Sequence, residues 1–326
     1  MRKLAPLALL LGVALVFPTG AYPQTPTLLA TWTACGSLTF GHPWHVAFDA
    51  AGNVFVTDPP GQRVVELGPS GECITAWGGP LPAPDYFYPY GIAVNAGSRV
   101  FVTTPVTNGP PVFVLAMFSS TGSFIGSLGE IGSGAGQLTG PYDVALDAAG
   151  NLYVADLYNS KVVVLSPDGS FIREWGGFGT GPGQFHHPLA IAVSSSGLVY
   201  VTDDDNQRVQ EFTTTGDFVR MWGSYGSAPG QFAGPWGIAL DAAGNVYVVD
   251  SANNRIQVFT GEGEFITQWG ADGGGPGQFH RPIGVGVGPD GRIYVADAWN
   301  SRIQVFGSLP TPARQRSWGE LKIRYR

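Results

Sequence analysis

The feature that most constrains this sequence is a unit that recurs six times. Each copy opens with a proline that begins an apolar segment, and these prolines are Pro43, Pro89, Pro141, Pro188, Pro235 and Pro282. The last three steps between them are 47 residues each. A fixed period of this length with four strands per unit is typical of a β-propeller, because one repeat cannot bury its own two faces. The sequence therefore predicts an all-β, six-bladed β-propeller of four-stranded antiparallel blades.

The copy from residue 235 to residue 270 shows the four strands most clearly. Gly, Asn and Asp occupy the turns, and Val, Ile, Tyr, Phe and Trp fill the predicted strands Gly237–Leu240, Val246–Val249, Ile256–Phe259 and Phe265–Trp269. Neighbouring strand residues are apolar on both faces, which is typical of a sheet packed between two others. Each copy is therefore interpreted as one blade, and the blades are numbered 1 to 6 in chain order.

The repeat resembles the NHL family of six-bladed propellers. The resemblance depends on the P-x-G-I-A opening, the G-N-V-Y-V-x-D strand and the N-x-R-I-Q-V-F strand, and it covers nearly all of residues 28 to 307. The His of the family's N-H-R motif is absent here. The resemblance implies the propeller fold and no single function, since the family includes RNA-binding members and an amidating lyase with channel histidines on zinc.

The ends of the chain predict export and a basic tail. Residues 1–21 have the charged start, the apolar run Leu4–Phe17 and the small residues of a signal peptide, and the run is shorter than the about 20 residues that a membrane anchor needs. We expect a linker at 22–27, the propeller at 28–308 and a basic tail at 309–326. The protein should be secreted or otherwise extracytoplasmic, in the periplasm or at the cell surface. Whether the tail is a disordered end or an attachment signal stays open.

The N-terminal strand is predicted to close the ring. Leu28–Trp32 aligns with the fourth strand Phe265–Trp269, whereas the last copy ends at Phe306 without a fourth strand of its own. Closure from the N-terminus would remove an open sheet edge. An alternative fourth strand ends near Trp318, but Pro310 and Pro312 lie where strand hydrogen bonds would be needed.

The two cysteines are predicted to form a disulfide after export. Cys35 follows the closing strand and Cys73 lies in the fourth strand of blade 1, so closure would make them neighbours. The alternative is two separate thiols.

The direction of the strands sorts the connections onto two faces. The opening prolines, the Asp-x-x-Asn loops and the Gly-Gln-Phe segments share one face, here called the loop face, and the tight Gly turns share the opposite turn face. Just after the prolines lie the candidate ligand-binding residues Trp44, His45, Tyr90, Tyr142, Asp143 and Trp236. Aromatic rings with polar tips suit a sugar, a peptide or another ring-bearing ligand. The alternative is that these rings only pack under the loops.

Recurring aspartates are interpreted as framework and not as a catalytic site. Arg or Lys follows each at a fixed spacing, and the set is Asp58, Asp156, Asp203, Asp250 and Asp297. No cofactor is predicted. Calcium at 203–206 is an alternative, and so is zinc on some of the histidines His42, His45, His186, His187 and His280.

The sequence favours a monomeric binding or scaffolding module without catalytic activity. Its partner would be a protein, a peptide or a carbohydrate, since no catalytic constellation or cofactor motif is evident. The alternative is a metal-assisted lyase or hydrolase with its site at the channel mouth. A nucleic-acid partner is not expected, because the formal net charge is −7 and phosphates would be repelled. We also expect no membrane span in the mature protein.

Overall fold

The computed structural model describes residues 25–78, 87–106 and 112–309, so the predicted signal peptide, the rival strand near Trp318 and nearly all of the basic tail lie outside the described residues. The described chain forms six four-stranded antiparallel sheets. The first strands of consecutive blades contact one another, and the first strand of blade 6 contacts that of blade 1. The predicted six-bladed propeller is thus confirmed.

The strands of each blade follow one another outwards from the axis. In blades 1 to 3 the strands are Val46–Phe48, Val54–Asp58, Arg63–Leu67 and Cys73–Trp77; Ile92–Val94, Val100–Val106, Val112–Phe118 and Phe124–Leu128; and Pro141–Leu146, Leu152–Asp156, Lys161–Leu165 and Phe171–Gly176. In blades 4 to 6 they are Pro188–Val193, Leu198–Asp203, Arg208–Thr213 and Phe218–Trp222; Pro235–Leu240, Val246–Asp250, Arg255–Phe259 and Phe265–Trp269; and Gly284–Val287, Ile293–Asp297, Arg302–Phe306 and Leu28–Trp32.

Few regular elements lie outside the blades in the described part of the chain. Two short strand pairs occur, Ala34–Cys35 with Leu38–Thr39 and Glu130–Ile131 with Gln137–Leu138, and a single 3-10 turn spans Ala298–Asn300. Among the described residues, no helix has the length and apolar character to cross a bilayer.

The N-terminal strand completes blade 6, as predicted. Leu28–Trp32 pairs antiparallel with Arg302–Phe306 as the outermost strand of that sheet. Cys35 and Cys73 form a disulfide with their Cα atoms 4.6 Å apart. The bond joins the segment that follows the closing strand to the outer strand of blade 1, so it links the two sides of the seam where the ring closes.

The hydrophobic core consists of six buried clusters, one at each interface between neighbouring blades. The second and third strands are buried along almost their whole length, which explains why their sequences are apolar on both faces. Because every blade interface contributes, the core is a ring around the axis and the axis itself is free for a channel.

The recurring aspartates are framework residues, as predicted. Each carboxylate is fully buried and accepts a hydrogen bond from a backbone N–H just before the opening proline of its own blade, as Asp203 does from His186 N at 2.7 Å. In four blades a guanidinium pairs with it at 2.7–2.8 Å: Arg63 with Asp58, Arg208 with Asp203, Arg255 with Asp250, and Arg302 with Asp297. These pairs hold the loop face rigidly, since each guanidinium also donates to loop carbonyls.

Candidate ligand site at the loop face

The backbone of the predicted site is fixed by threonines of neighbouring blades. A threonine in the second strand of one blade donates its hydroxyl to the carbonyl of the aromatic residue in the next blade. The three bonds are Thr57 to Tyr90 (2.8 Å), Thr103 to Tyr142 (2.9 Å) and Thr202 to Trp236 (2.9 Å). The backbone at three of the four aromatic positions is therefore held by the second strand of the preceding blade.

Three of the predicted aromatic rings stack on one another. The ring centroids of Trp44 and Tyr90 are 4.5 Å apart with 13° between the planes, and those of Tyr90 and Tyr142 are 5.4 Å apart with 22° between them. The ring centroids of Trp44 and Tyr142 are 5.9 Å apart, and their planes are tilted by 30°. We call this group the mouth stack. Each of its members is a half-buried residue.

The tyrosines of the mouth stack stay protonated at neutral pH. Burial raises the pKa of the Tyr142 hydroxyl above its ordinary value, and the nearby charges of Tyr90 and Asp204 add to the effect. Burial likewise raises the pKa of Tyr90, followed by the influence of Tyr158 and Tyr88. Both hydroxyls therefore keep their donor capacity.

His45 and Asp143 form a buried pair beside the stack. His45 Nδ1 lies 3.5 Å from Asp143 Oδ1, and Asp143 Oδ2 accepts a hydrogen bond from Ile191 N at 3.0 Å. Burial raises the pKa of the Asp143 carboxyl, and the charge of His45 opposes this shift. The pair connects blades 1, 3 and 4, so it also holds the inner ring together.

A channel cavity of about 300 Å³ lies along the axis. Its lining runs from His45 and Asp143 to the last residues of the first strands, such as Phe48 and Leu146, which end at the turn face. His45 and Asp143 are the only polar side chains in the lining that the structure describes. The mouth stack is not part of this lining and lies one residue nearer the loop face.

Trp236 lies apart from the mouth stack. It belongs to blade 5, opposite the blade of Tyr90, and within the described residues no ring contact joins it to the stack. Its Nε1 and the carboxylate of Asp204 both border Gly234. The structure thus brings together five of the six predicted residues as a stack and a polar pair, and leaves the sixth across the ring.

The segment 203–206, which the sequence offered as an alternative calcium site, does not present all its carboxylates to one ion. Asp203 is fully buried and already accepts hydrogen bonds from Arg208, Asn206 and the backbone of His186. Asp205 instead lies beside His186 and His187. The structure therefore assigns Asp203 to the framework.

Sequence reasoning assigned no role to two sets of residues that hold the site in place. One is the threonine series described above. The other comprises fully buried glutamines that bridge a framework Asp and a Gly-Gln-Phe segment, namely Gln210, Gln257 and Gln304. Their signal was a polar residue recurring at the repeat period within an apolar strand.

The comparisons with known proteins agree with this fold. The family model described as NHL repeat matches residues 185–212, 232–259 and 279–306, which lie in blades 4, 5 and 6. No curated protein sequence is significantly similar to the chain. The fold and these matches define the class: the chain is a six-bladed β-propeller, and three of its blades match the NHL repeat.

Several solved structures share the fold at low sequence identity. A streptogramin B lyase is 17% identical, with a TM-score of 0.60 over 87% of this chain and 96% of that one. An inactive virginiamycin B lyase from Staphylococcus aureus with quinupristin is 16% identical, with a TM-score of 0.56 over 81% and 80%. A putative gluconolactonase is 17% identical, with a TM-score of 0.62 over 88% and 93%. At these identities the likeness shows the fold alone.

Proposed function

We propose that this protein is a secreted, monomeric binding module that holds its ligand against the mouth stack on the loop face. The observation that carries the proposal is a group of three half-buried aromatic residues from three consecutive blades, in which the Tyr90 ring stacks on those of Trp44 and Tyr142. The equivalent positions in blades 4 and 6 are the aliphatic Leu189 and Ile283. In blade 5 the position holds Trp236, which lies across the ring, so the stacked rings occupy one side of an asymmetric mouth.

The chemistry of the stack suits a ligand with a flat apolar face and polar edges. Binding sites combine apolar or aromatic area with a few fixed polar groups. Trp44, Tyr90 and Tyr142 supply the area, and the protonated tyrosine hydroxyls supply donors. Tyr158, a 59% exposed residue of the following loop, lies close enough to influence the Tyr142 hydroxyl. A sugar ring or a peptide with aromatic or proline side chains has the matching shape.

The disulfide supports the extracytoplasmic part of the proposal. Disulfides form and persist in oxidising compartments such as the periplasm and the extracellular space. Cys35 and Cys73 are the only two cysteines of the chain, and they are bonded to each other. The charged and apolar pattern of residues 1–21 points the same way.

The proposal is tested by replacing one ring of the stack and one matched ring elsewhere on the loop face. A panel of soluble oligosaccharides and of aromatic and proline-rich peptides is screened by isothermal titration calorimetry against the mature chain. For each hit we expect Trp44→Ala to weaken binding on the order of tenfold to hundredfold, comparable to an interface hot spot.

The matched control is Trp299→Ala, which removes an exposed tryptophan of the same face that stacks on His42 instead. We expect this variant to bind normally. If the Trp44→Ala variant is folded and binds the ligand as tightly as the wild type does, the mouth stack has only a structural packing role and does not bind the ligand.

A metal-assisted lyase or hydrolase is the second candidate, favoured by the buried His45–Asp143 pair at the end of the channel cavity. In that case His45 would act as a general base and Asp143 would orient its ring. A metal site needs about three protein ligands, and this mouth supplies two among the described residues. Ester, lactone and cyclic-peptide cleavage assays test the idea, and turnover that survives His45→Ala would exclude it.

A further inference from the structure

We propose that His186, His187 and Asp205 form a zinc-binding site on the loop face of blade 4, separate from the mouth stack. These three residues, called here the loop-face triad, are the one group of three metal-ligating side chains that converges within the described residues. The inference does not depend on which ligand the mouth stack binds.

The distances of the triad are close to those of a metal site. Asp205 Oδ2 lies 3.1 Å from His186 Nε2 and 2.8 Å from His187 Nδ1, and the three atoms all lie within 4.8 Å of one another. Zinc holds such ligands at about 2.0–2.2 Å in a tetrahedron, which separates ligand atoms by about 3.3 Å. Small side-chain rotations therefore suffice to place all three atoms around one ion.

The backbone directs two consecutive imidazoles to the same carboxylate. In an extended chain neighbouring side chains point to opposite sides, but His187 has a left-handed conformation with φ 62°. Hydrogen bonds fix this geometry: Asp204 N donates to His187 O at 3.1 Å, and Asp205 N donates to His186 O at 3.2 Å. The left-handed conformation costs free energy for a residue with a side chain. The surrounding hydrogen bonds therefore hold His187 in this conformation, which brings both imidazoles to Asp205.

The ligand set suits zinc and leaves room for a further ligand. Two imidazole nitrogens and one carboxylate oxygen are common zinc ligands, and three protein ligands leave one tetrahedral position open. The side chains of His186, His187 and Asp205 are 37%, 44% and 41% exposed, so solvent or a bound molecule can reach that position. The site would therefore be of the open kind, in contrast to closed structural zinc sites.

The neighbouring blades lack this combination and provide matched controls. In blade 5 the three equivalent positions, one repeat of 47 residues later, are Ala233, Gly234 and Ala252. In blade 6, His280 pairs with Asp272, and Trp299 stands where the aspartate of the triad would be. Blade 5 shows which residues the fold accepts there, and His280 is an exposed histidine with a carboxylate but without the third ligand.

The test is zinc titration of mature protein stripped of metal by a chelator, followed by calorimetry. We expect one zinc ion per chain. His186→Ala, His187→Gly and Asp205→Ala, which install the residues of blade 5, should each weaken zinc binding at least about tenfold. Glycine at position 187 also suits the left-handed backbone, so this variant should fold without strain.

His280→Ala serves as the control and should bind zinc as the wild type does. Circular dichroism verifies that each variant is folded. The proposal is overturned if the wild type binds no zinc at about 100 μM, or if His280→Ala weakens binding as much as the triad variants do.

Discussion

At the scale of single residues, blade 3 departs from the Asp–Arg framework of blades 1, 4, 5 and 6. Lys161 occupies the position of the pairing arginine, yet its Nζ donates to Glu174 Oε2 at 2.8 Å and to Gly134 O at 2.9 Å, not to Asp156. Asp156 is fully buried and depends on Asn159 and backbone amides. Burial accordingly raises the pKa of the Asp156 carboxyl, although these bonds and Lys161 oppose the shift.

We predict that Lys161→Arg stabilises the protein. In blade 5, Arg255 reaches both Asp250 and Gln268, and the equivalent partners in blade 3 are Asp156 and Glu174. An arginine at 161 should therefore keep the contact with Glu174 and add a charge-assisted bond to Asp156. The free energy of unfolding in urea at pH 7 should rise by about 1–2 kcal/mol. The reverse change, Arg255→Lys in blade 5, should lower it.

The gain from Lys161→Arg should depend on pH. The new bond lowers the folded-state pKa of Asp156, so the variant's folded state binds fewer protons than that of the wild type. The gain in stability is then present at neutral pH. It is lost as the pH falls through the raised pKa that Asp156 has in the folded wild type, towards the ordinary value of about 4. An advantage that is constant from pH 7 to pH 4 would contradict this assignment.

At the scale of elements, the N-terminal strand is the piece that makes the ring complete. Leu28–Trp32 covers the edge of Arg302–Phe306, and Trp32 is buried against Tyr294, with ring centroids 5.5 Å apart. The ring of Trp32 also packs against Gly71 of blade 1, where any side chain would overlap it. The strand thus contacts both sides of the seam.

Deletion of residues 28–34 should therefore destabilise the whole ring. The loss of strand pairing and of a buried tryptophan should lower the free energy of unfolding by at least about 3 kcal/mol. Deletion of residues 310–326 is the control and should leave the unfolding transition in place. If the chain without residues 28–34 melts like the mature chain, and the chain without residues 310–326 unfolds, the strand that closes the ring is wrongly assigned.

The disulfide should stabilise the same seam. Cys35 and Cys73 are 38 positions apart, and closing a loop of this size restricts the unfolded chain by about 2–4 kcal/mol. In non-reducing buffer, the double variant Cys35→Ser, Cys73→Ser should have a free energy of unfolding, measured in urea, that is lower by that amount. Equal stability of the two proteins would show that the bond adds nothing to the fold.

The sequence predicted elements better than it predicted the geometry between them. The proline period and the alternation of apolar runs with Gly and Asn set the blades, and the missing fourth strand after Phe306 indicated the closure. The stacking of Trp44, Tyr90 and Tyr142 was expected only as a shared location, because ring contacts depend on the diameter of the inner ring and on rotamers. The convergence of His186 and His187 on Asp205 depends on a left-handed residue that no motif indicates.

At the scale of the whole molecule, the candidate binding groups of the propeller lie on one face. The mouth stack, the His45–Asp143 pair and the loop-face triad all lie at the loop-face ends of the strands. The last residues of the first strands at the turn face, in contrast, line the channel with Phe48, Leu146 and other apolar side chains. The buried Asp–Arg pairs beneath the loops hold this face in a fixed shape. A rigid face with an asymmetric centre is suited to binding one ligand in one orientation.

The most direct test of this account is a crystal structure of the mature protein with the tightest ligand from the oligosaccharide and peptide panel. The account predicts that the ligand lies on the loop face, within about 4 Å of the rings of Trp44, Tyr90 or Tyr142. A ligand bound at the turn-face end of the channel, or on the outer strands with the mouth stack unoccupied, would contradict it.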